Sequence, residues 1–132
     1  MSDKQAMLLT SCRYLALVYA IVLAIVEAVL NSRREQWQYA PLWIIDYVIV
    51  AYLLAGFWLT RRGKYLPVLM SAYALSSGVM YIAFFMDFDP ELPAAARGPT
   101  FLVALIGLAL GGSAVGLVGT TVAWWRQERA IG

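Results

Sequence analysis

Four apolar runs separated by short polar gaps constrain this chain more than any other feature. Residues 14–31, 41–60, 65–86 and 100–125 each meet the roughly 17–25 mostly apolar residues needed to cross about 30 Å of hydrocarbon at about 1.5 Å per residue. Lipid gives backbone N–H and C=O groups no partners, so runs of this length read as helices. Strands of a barrel would show segments of about ten alternating residues, and no such alternation occurs. Pro41 and Pro67 fall in first turns where a missing N–H costs nothing, Gly63 follows the second run as a stop, and Pro99-Thr100 opens the fourth. The expectation is an all-α integral membrane four-helix bundle, antiparallel and up-down, forming one domain over residues 1–132.

Composition agrees and removes several function classes. The chain is 62% hydrophobic and 14% charged, against about 45–50% and 25% in soluble domains. Ten Lys and Arg oppose eight Asp and Glu, a net +2, too small an excess for nucleic acid to be a partner. Histidine is absent and Cys12 is the single cysteine, which excludes His-ligated haem or zinc, Ser-His-Asp catalysis, a CxxC redox pair and an intrachain disulfide. No cofactor is implied: both lysines, Lys4 and Lys64, lie outside the runs, which argues against a retinal Schiff base. The loop from Asp87 to Pro99 carries Asp87, Asp89 and Glu91, but it lacks the glycine and distal glutamate of an EF-hand. It reads as a solvated acidic connection with no metal.

The ends of the runs suggest an orientation. Trp37 and Trp43 mark one interface and Trp58, Trp124 and Trp125 the other, as amphipathic rings do at headgroup level. An even number of crossings puts both termini and the second connection on one side. That side carries Lys4, Arg13, Arg61, Arg62, Lys64, Arg126 and Arg129, against Arg33, Arg34 and Arg97 opposite. The positive-inside rule then places both termini in the cytoplasm, in the inner membrane if the source is bacterial. The first run has basic residues before it, as a secretory leader does, but Glu27 interrupts it and no small-x-small cleavage site follows, so it reads as a retained helix.

In lipid, helices associate through small residues and hydrogen bonds more than through apolar side chains. On the fourth run Ala109, Gly112, Gly116, Gly119 and Ala123 recur at three and four residues, and 107–111 and 112–116 are both GxxxG. The groove fits another backbone, either a helix of this chain or a partner. Ala16, Ala20, Ala24 and Ala28 form a second small stripe, and Tyr73, Ser77 and Tyr81 a polar one. These faces are expected to turn inward, leaving the Leu, Val, Ile and Phe faces to the lipid bilayer.

Two carboxylates lie inside the runs. Glu27 sits five residues before Ser32 and Asp46 five after Pro41, so both fall roughly 7–8 Å below the same boundary. The same spacing before Met86 puts Tyr81 in that layer. Glu27, Asp46 and Tyr81 are expected to converge, with Asn31 one turn above Glu27 and Tyr47 beside Asp46. An ionised side chain at the centre of a span costs about 2.5–3.5 kcal/mol on insertion scales, and two carboxylates so close do not both ionise freely, so a shared or exchangeable proton is expected. The alternative is structural: Glu27 bonds Asn31 and reaches toward Arg34, while Asp46 accepts from a tyrosine or snorkels to the interface.

Three functional classes follow. The first is a non-enzymatic structural or accessory subunit that associates through the glycine-rich fourth helix, as a homo-oligomer or within a larger membrane complex. The second is a small-ligand-binding protein or proton-coupled transporter built on the Glu27/Asp46 layer. Four helices, an acid on the first, and Gly112 and Gly119 seven apart on the last resemble the architecture of the small multidrug-resistance exporters. That resemblance implies a dimer with Glu27 as the proton carrier. It stops at architecture: in the segment Ala24-Ile-Val-Glu-Ala-Val-Leu-Asn31 the acid lies far along its helix, and the family's aromatic and glycine patterns on the second and third helices are missing. The third class is an enzyme using Glu27 and Asp46 as acid and base, but no nucleophile, metal cluster or phosphate loop accompanies them. Cys12, near the basic end, reads either as an acylation site or as a plain small residue.

Overall fold

The computed structural model describes residues 2–32, 40–87, 89–91, 93 and 100–132, with the backbone alone described at 31, 40–42 and 87. Helix α1 spans Asp3–Ser32, α2 Ala40–Leu59, α3 Leu66–Asp87 and α4 Thr100–Ile131, and a 3-10 turn at Thr60–Arg62 joins α2 toward α3. No strand occurs among the described residues. All four helices are long and apolar enough to cross a membrane.

The apolar runs coincide with α2 and α3 to within a residue and with the start of α4. Two ends differ. α1 begins at Asp3, where an onset at residue 14 is expected, and α4 continues to Ile131, past residue 125. Hydropathy reports what lipid accepts, whereas helicity also continues into water. Ser2 caps α1, its Oγ accepting the Gln5 N–H at 3.4 Å and its carbonyl the N–H groups of Gln5 and Ala6, and Asp3 complements the dipole in the first turn. The extensions are tied down: Gln5 Nε2 donates to the Ala123 carbonyl at 3.3 Å and Gln127 Nε2 to the Gly63 carbonyl at 2.9 Å. Between α2 and α3 the chain turns on Gly63, whose φ of 70° is in the left-handed region and whose N–H closes on Thr60 O at 2.9 Å.

Cross-helix contacts run in opposite sequence directions on every neighbouring pair. Arg13 meets Phe57 while Glu27 meets Asp46. The Cβ positions of Gly112 and Gly119 face Tyr19 and Cys12, and those of Gly107 and Gly116 face Phe84 and Tyr73. Tyr52 bonds Ser71, and Gly56 lies on Leu69. The helices therefore alternate up and down in a ring, α1 beside α2 and α4, and α3 closing the circle.

Small and hydroxyl residues form much of the centre. Ala16, Ala20, Ala72, Ser76, Ser113, Gly116, Thr120 and Ala123 are buried, together with Ile49, Leu53, Leu69 and Tyr73. Each buried hydroxyl finds an acceptor or partner: Thr60 and Thr120 donate to the carbonyls of Gly56 and Gly116, both at 2.6 Å, and Ser76 donates to the Tyr19 hydroxyl at 2.8 Å. No buried side-chain polar atom among the described residues lacks a partner. Large apolar side chains such as Val18, Ile25, Val48, Ile82 and Val115 point outward, the distribution a lipid-solvated bundle requires.

Candidate functional site

Packing is uneven along the bundle. Toward the end that carries Gly63 and Gln127, α1, α3 and α4 meet at Cys12, Tyr73 and Gly116. The Tyr73 hydroxyl donates to the Cys12 carbonyl at 2.6 Å, and its ring covers Gly116 so closely that a Cβ there would overlap it. A Cβ on Gly119 would lie 2.7 Å from Cys12 Sγ. Cys12 is buried at this contact, as a plain small residue would be.

Toward the other end the helices part. Ala16 and Ala20 are fully buried, but Ala24 is half-buried and Ala28 exposed, so only the first half of that stripe is fully enclosed. The separation leaves a cavity of about 580 Å³ between α1, α3 and α4, with α2 contributing Ile45 and Asp46. Tyr19 is among its lining residues; its ring lies 3.7 Å from the Cβ position of Gly112 and its hydroxyl accepts from Ser76. Its walls are apolar: Val22 and Val26 on α1, Met80 and Ala83 on α3, Leu105 and Ala109 on α4. Val18, Val22, Ile82, Met86 and Leu108 line it and are exposed as well, so it opens sideways, through the surface that faces lipid in a bilayer.

Glu27 and Asp46 both line this cavity. Glu27 is 8% exposed and Asp46 half-buried, and the two carboxyls lie close enough to influence one another. No basic side chain is among the described residues of the lining. The pair supplies the acidic groups of a mostly apolar lining.

Tyr81 does not join them. It is 57% exposed and packs on Phe85, ring centroids 4.7 Å apart, on the outer face of α3. The reason is angular: residues four apart drift by about 40° per step on a helix of 3.6 residues per turn, so a stripe read at i, i+4 and i+8 leaves the core. Tyr73 is buried, Ser77 is half-buried with its hydroxyl donating to Ser113 Oγ at 3.1 Å, and Tyr81 is outside. Met80, with Val79 and Ala83, occupies the side assigned to Tyr81. Tyr47 is also turned out, with an edge-on contact to Trp43. Asn31 is the penultimate residue of α1, and its side chain lies outside the described residues, as do Arg33, Arg34, Trp37 and Arg97.

Gly112, Gly116 and Gly119 face Tyr19, Tyr73 and Cys12 of the same chain. Gly111 alone of the fourth-helix glycines is exposed with open space at its Cβ position. In the acidic connection Asp89 Oδ1 accepts the Glu91 N–H at 2.9 Å, a local turn contact.

No protein-family model, curated protein or solved structure matches the chain.

Proposed function

We propose that this is an integral membrane protein that binds a small lipophilic ligand between its helices, with Glu27 and Asp46 as the polar end of the site and both termini in the cytoplasm. The observation that carries this reading is the cavity of about 580 Å³ that both Glu27 and Asp46 line. Ligand sites are typically about 300–1,000 Å³, mostly apolar, with few convergent polar groups. A purely structural bundle gains nothing from the gap, because dispersion contacts forgone along its walls weaken the packing. The fourth-helix glycines, which motivate an accessory-subunit role, are engaged by Tyr19, Tyr73 and Cys12 of their own chain, so support for the ligand role is the stronger. Two carboxyls inside the spans are also the kind of element a proton-coupled transporter would need.

The test is native mass spectrometry of the protein released from membranes, beside an Ala109→Phe variant that fills the cavity wall. The wild type is expected to carry a small organic species that the variant lacks at equal melting temperature. Equal occupancy in the two proteins refutes the site, and so does an empty wild type that also fails to take up added 1-decanol.

A further inference from the structure

We infer that a second cavity, at the end of the bundle away from the cleft, seats the phosphoethanolamine head of a membrane phospholipid, with Lys64 taking the phosphate and Glu128 the primary ammonium. This site stands apart from the cleft and does not depend on what the cleft binds. A cavity of about 360 Å³ lies between the α2–α3 turn and the end of α4, lined by residues 63–67 on one side and by Trp124, Gln127, Glu128 and Ile131 on the other. Its two walls are tied together. Gln127 Nε2 donates to the Gly63 carbonyl at 2.9 Å, and Leu66, 2% exposed, belongs to the same apolar cluster as Ala123 and Trp124.

The lining selects the chemistry. It holds one basic and one acidic side chain, Lys64 and Glu128, both exposed, and a head that carries a phosphate and an ammonium complements the two together. A lysine ammonium suits phosphate as a point charge with three rotatable donors. A carboxylate only accepts, and a primary ammonium brings it N–H groups that a choline head lacks. Position selects a lipid over a soluble ester. The fourth apolar run ends at Trp125, so the stretch from Trp124 to Ile131 carries the cavity from the acyl boundary into the headgroup layer, and Leu66, Pro67 and Trp124 give its apolar contact. Tyr65 adds a ring to this lining at a backbone cost. Its φ of 59° lies in the left-handed region, uncommon for an aromatic residue and open to glycine, yet the position presents a side chain that is 63% exposed at the cavity. Such strain clusters at ligand clamps, and tyrosine suits the headgroup layer.

The experiment is native mass spectrometry of the protein in detergent, titrated with phosphatidylethanolamine, phosphatidylcholine and phosphatidylglycerol of identical acyl chains. For the first lipid bound, phosphatidylethanolamine is expected to bind at least about fivefold more tightly than either of the others. Glu128→Gln should remove that preference and leave phosphatidylcholine binding unchanged, which also shows that the variant folds. Lys64→Gln should weaken both of these lipids, and Arg126→Gln, outside the lining, neither. Tyr65→Gly should weaken both severalfold while keeping or raising resistance to sodium dodecyl sulfate, the reverse of what losing a structural contact does. Equal affinity for the three lipids overturns the inference, and so does a preference that survives Glu128→Gln. A preference lost as fully in Arg126→Gln overturns it in favour of the general charge of this end. Soluble glycerophosphoethanolamine that displaces the lipid at equal concentration overturns the choice of a lipid.

Discussion

The ring of Tyr73 fills the space that a side chain at Gly116 would need, and its hydroxyl is anchored at 2.6 Å to the Cys12 carbonyl of a third helix. Because the ring is pinned at both ends, it has nowhere to move. Gly116→Ala is therefore expected to destabilise the bundle by about 1–3 kcal/mol, as overpacking does. Gly111→Ala, in open space on the same helix, should stay within about 0.5 kcal/mol. Unfolding of the two variants in mixed micelles by sodium dodecyl sulfate titration checks the contrast, and a cost at Gly111 matching that at Gly116 would contradict the assignment of faces.

Gly119 meets a different kind of neighbour. The Cβ of Gly119→Ala would lie 2.7 Å from Cys12 Sγ, the terminal atom of a short side chain. The substitution should cost stability alone and recover on Cys12→Ala, giving a coupling of about 0.5–3 kcal/mol in a double-mutant cycle. Additive effects would mean that the two residues do not touch.

These contacts show where sequence stops being informative. The spans are legible because hydropathy and helix length are both set by the bilayer, and α2 and α3 end within a residue of their apolar runs. The onset of α1 is missed because Ser2 to Gln5 signal a helix through capping, Ser2 with Gln5 three residues on, and not through hydropathy. A glycine groove reveals that a neighbour approaches but not whose; only the fold supplies Tyr73 and Cys12 as that neighbour. The pairing of Glu27 with Asp46 follows from depth arithmetic on a hairpin, whereas the exclusion of Tyr81 depends on helix phase, which depth does not contain.

That difference in phase makes a prediction about the site. Tyr81→Ala removes a side chain on the outer face of α3, so ligand occupancy by native mass spectrometry should match the wild type. Met80→Trp, on the cavity wall, should abolish it. Loss of ligand in Tyr81→Ala would return the tyrosine to the site.

Arg13 is a basic side chain well inside α1, and its guanidinium donates twice to the Phe57 carbonyl, at 3.0 and 3.2 Å, while lying 4.8 Å from that residue's ring centroid. The planar fork makes both hydrogen bonds at once, which a lysine ammonium does not reproduce. Arg13→Lys is expected to lose about 1 kcal/mol or more of stability. Wild-type resistance to sodium dodecyl sulfate in Arg13→Lys would show that the double contact contributes nothing.

The end of the bundle that holds Arg13 also holds Arg61 over the ring of Trp58, at 4.3 Å, and Arg129 over Trp125, at 3.8 Å. Arginine stacked on tryptophan suits a headgroup layer, the indole at the acyl boundary and the guanidinium among phosphates. In the proposed orientation this end faces the cytoplasm, where anionic lipid contributes about 1 kcal/mol per basic residue near the surface, and seven of the ten basic residues belong to this end. A fluorescent protein fused after Gly132 should therefore fold and fluoresce in the cytoplasm, while alkaline phosphatase at the same point should be inactive. Neutralising Arg61, Arg62 and Lys64 together should shift part of the population to the opposite orientation, because that loop lies between two spans and contributes directly to the bias. Active phosphatase on the unmodified chain would invert the orientation and place the Glu27 and Asp46 end of the cavity toward the cytoplasm.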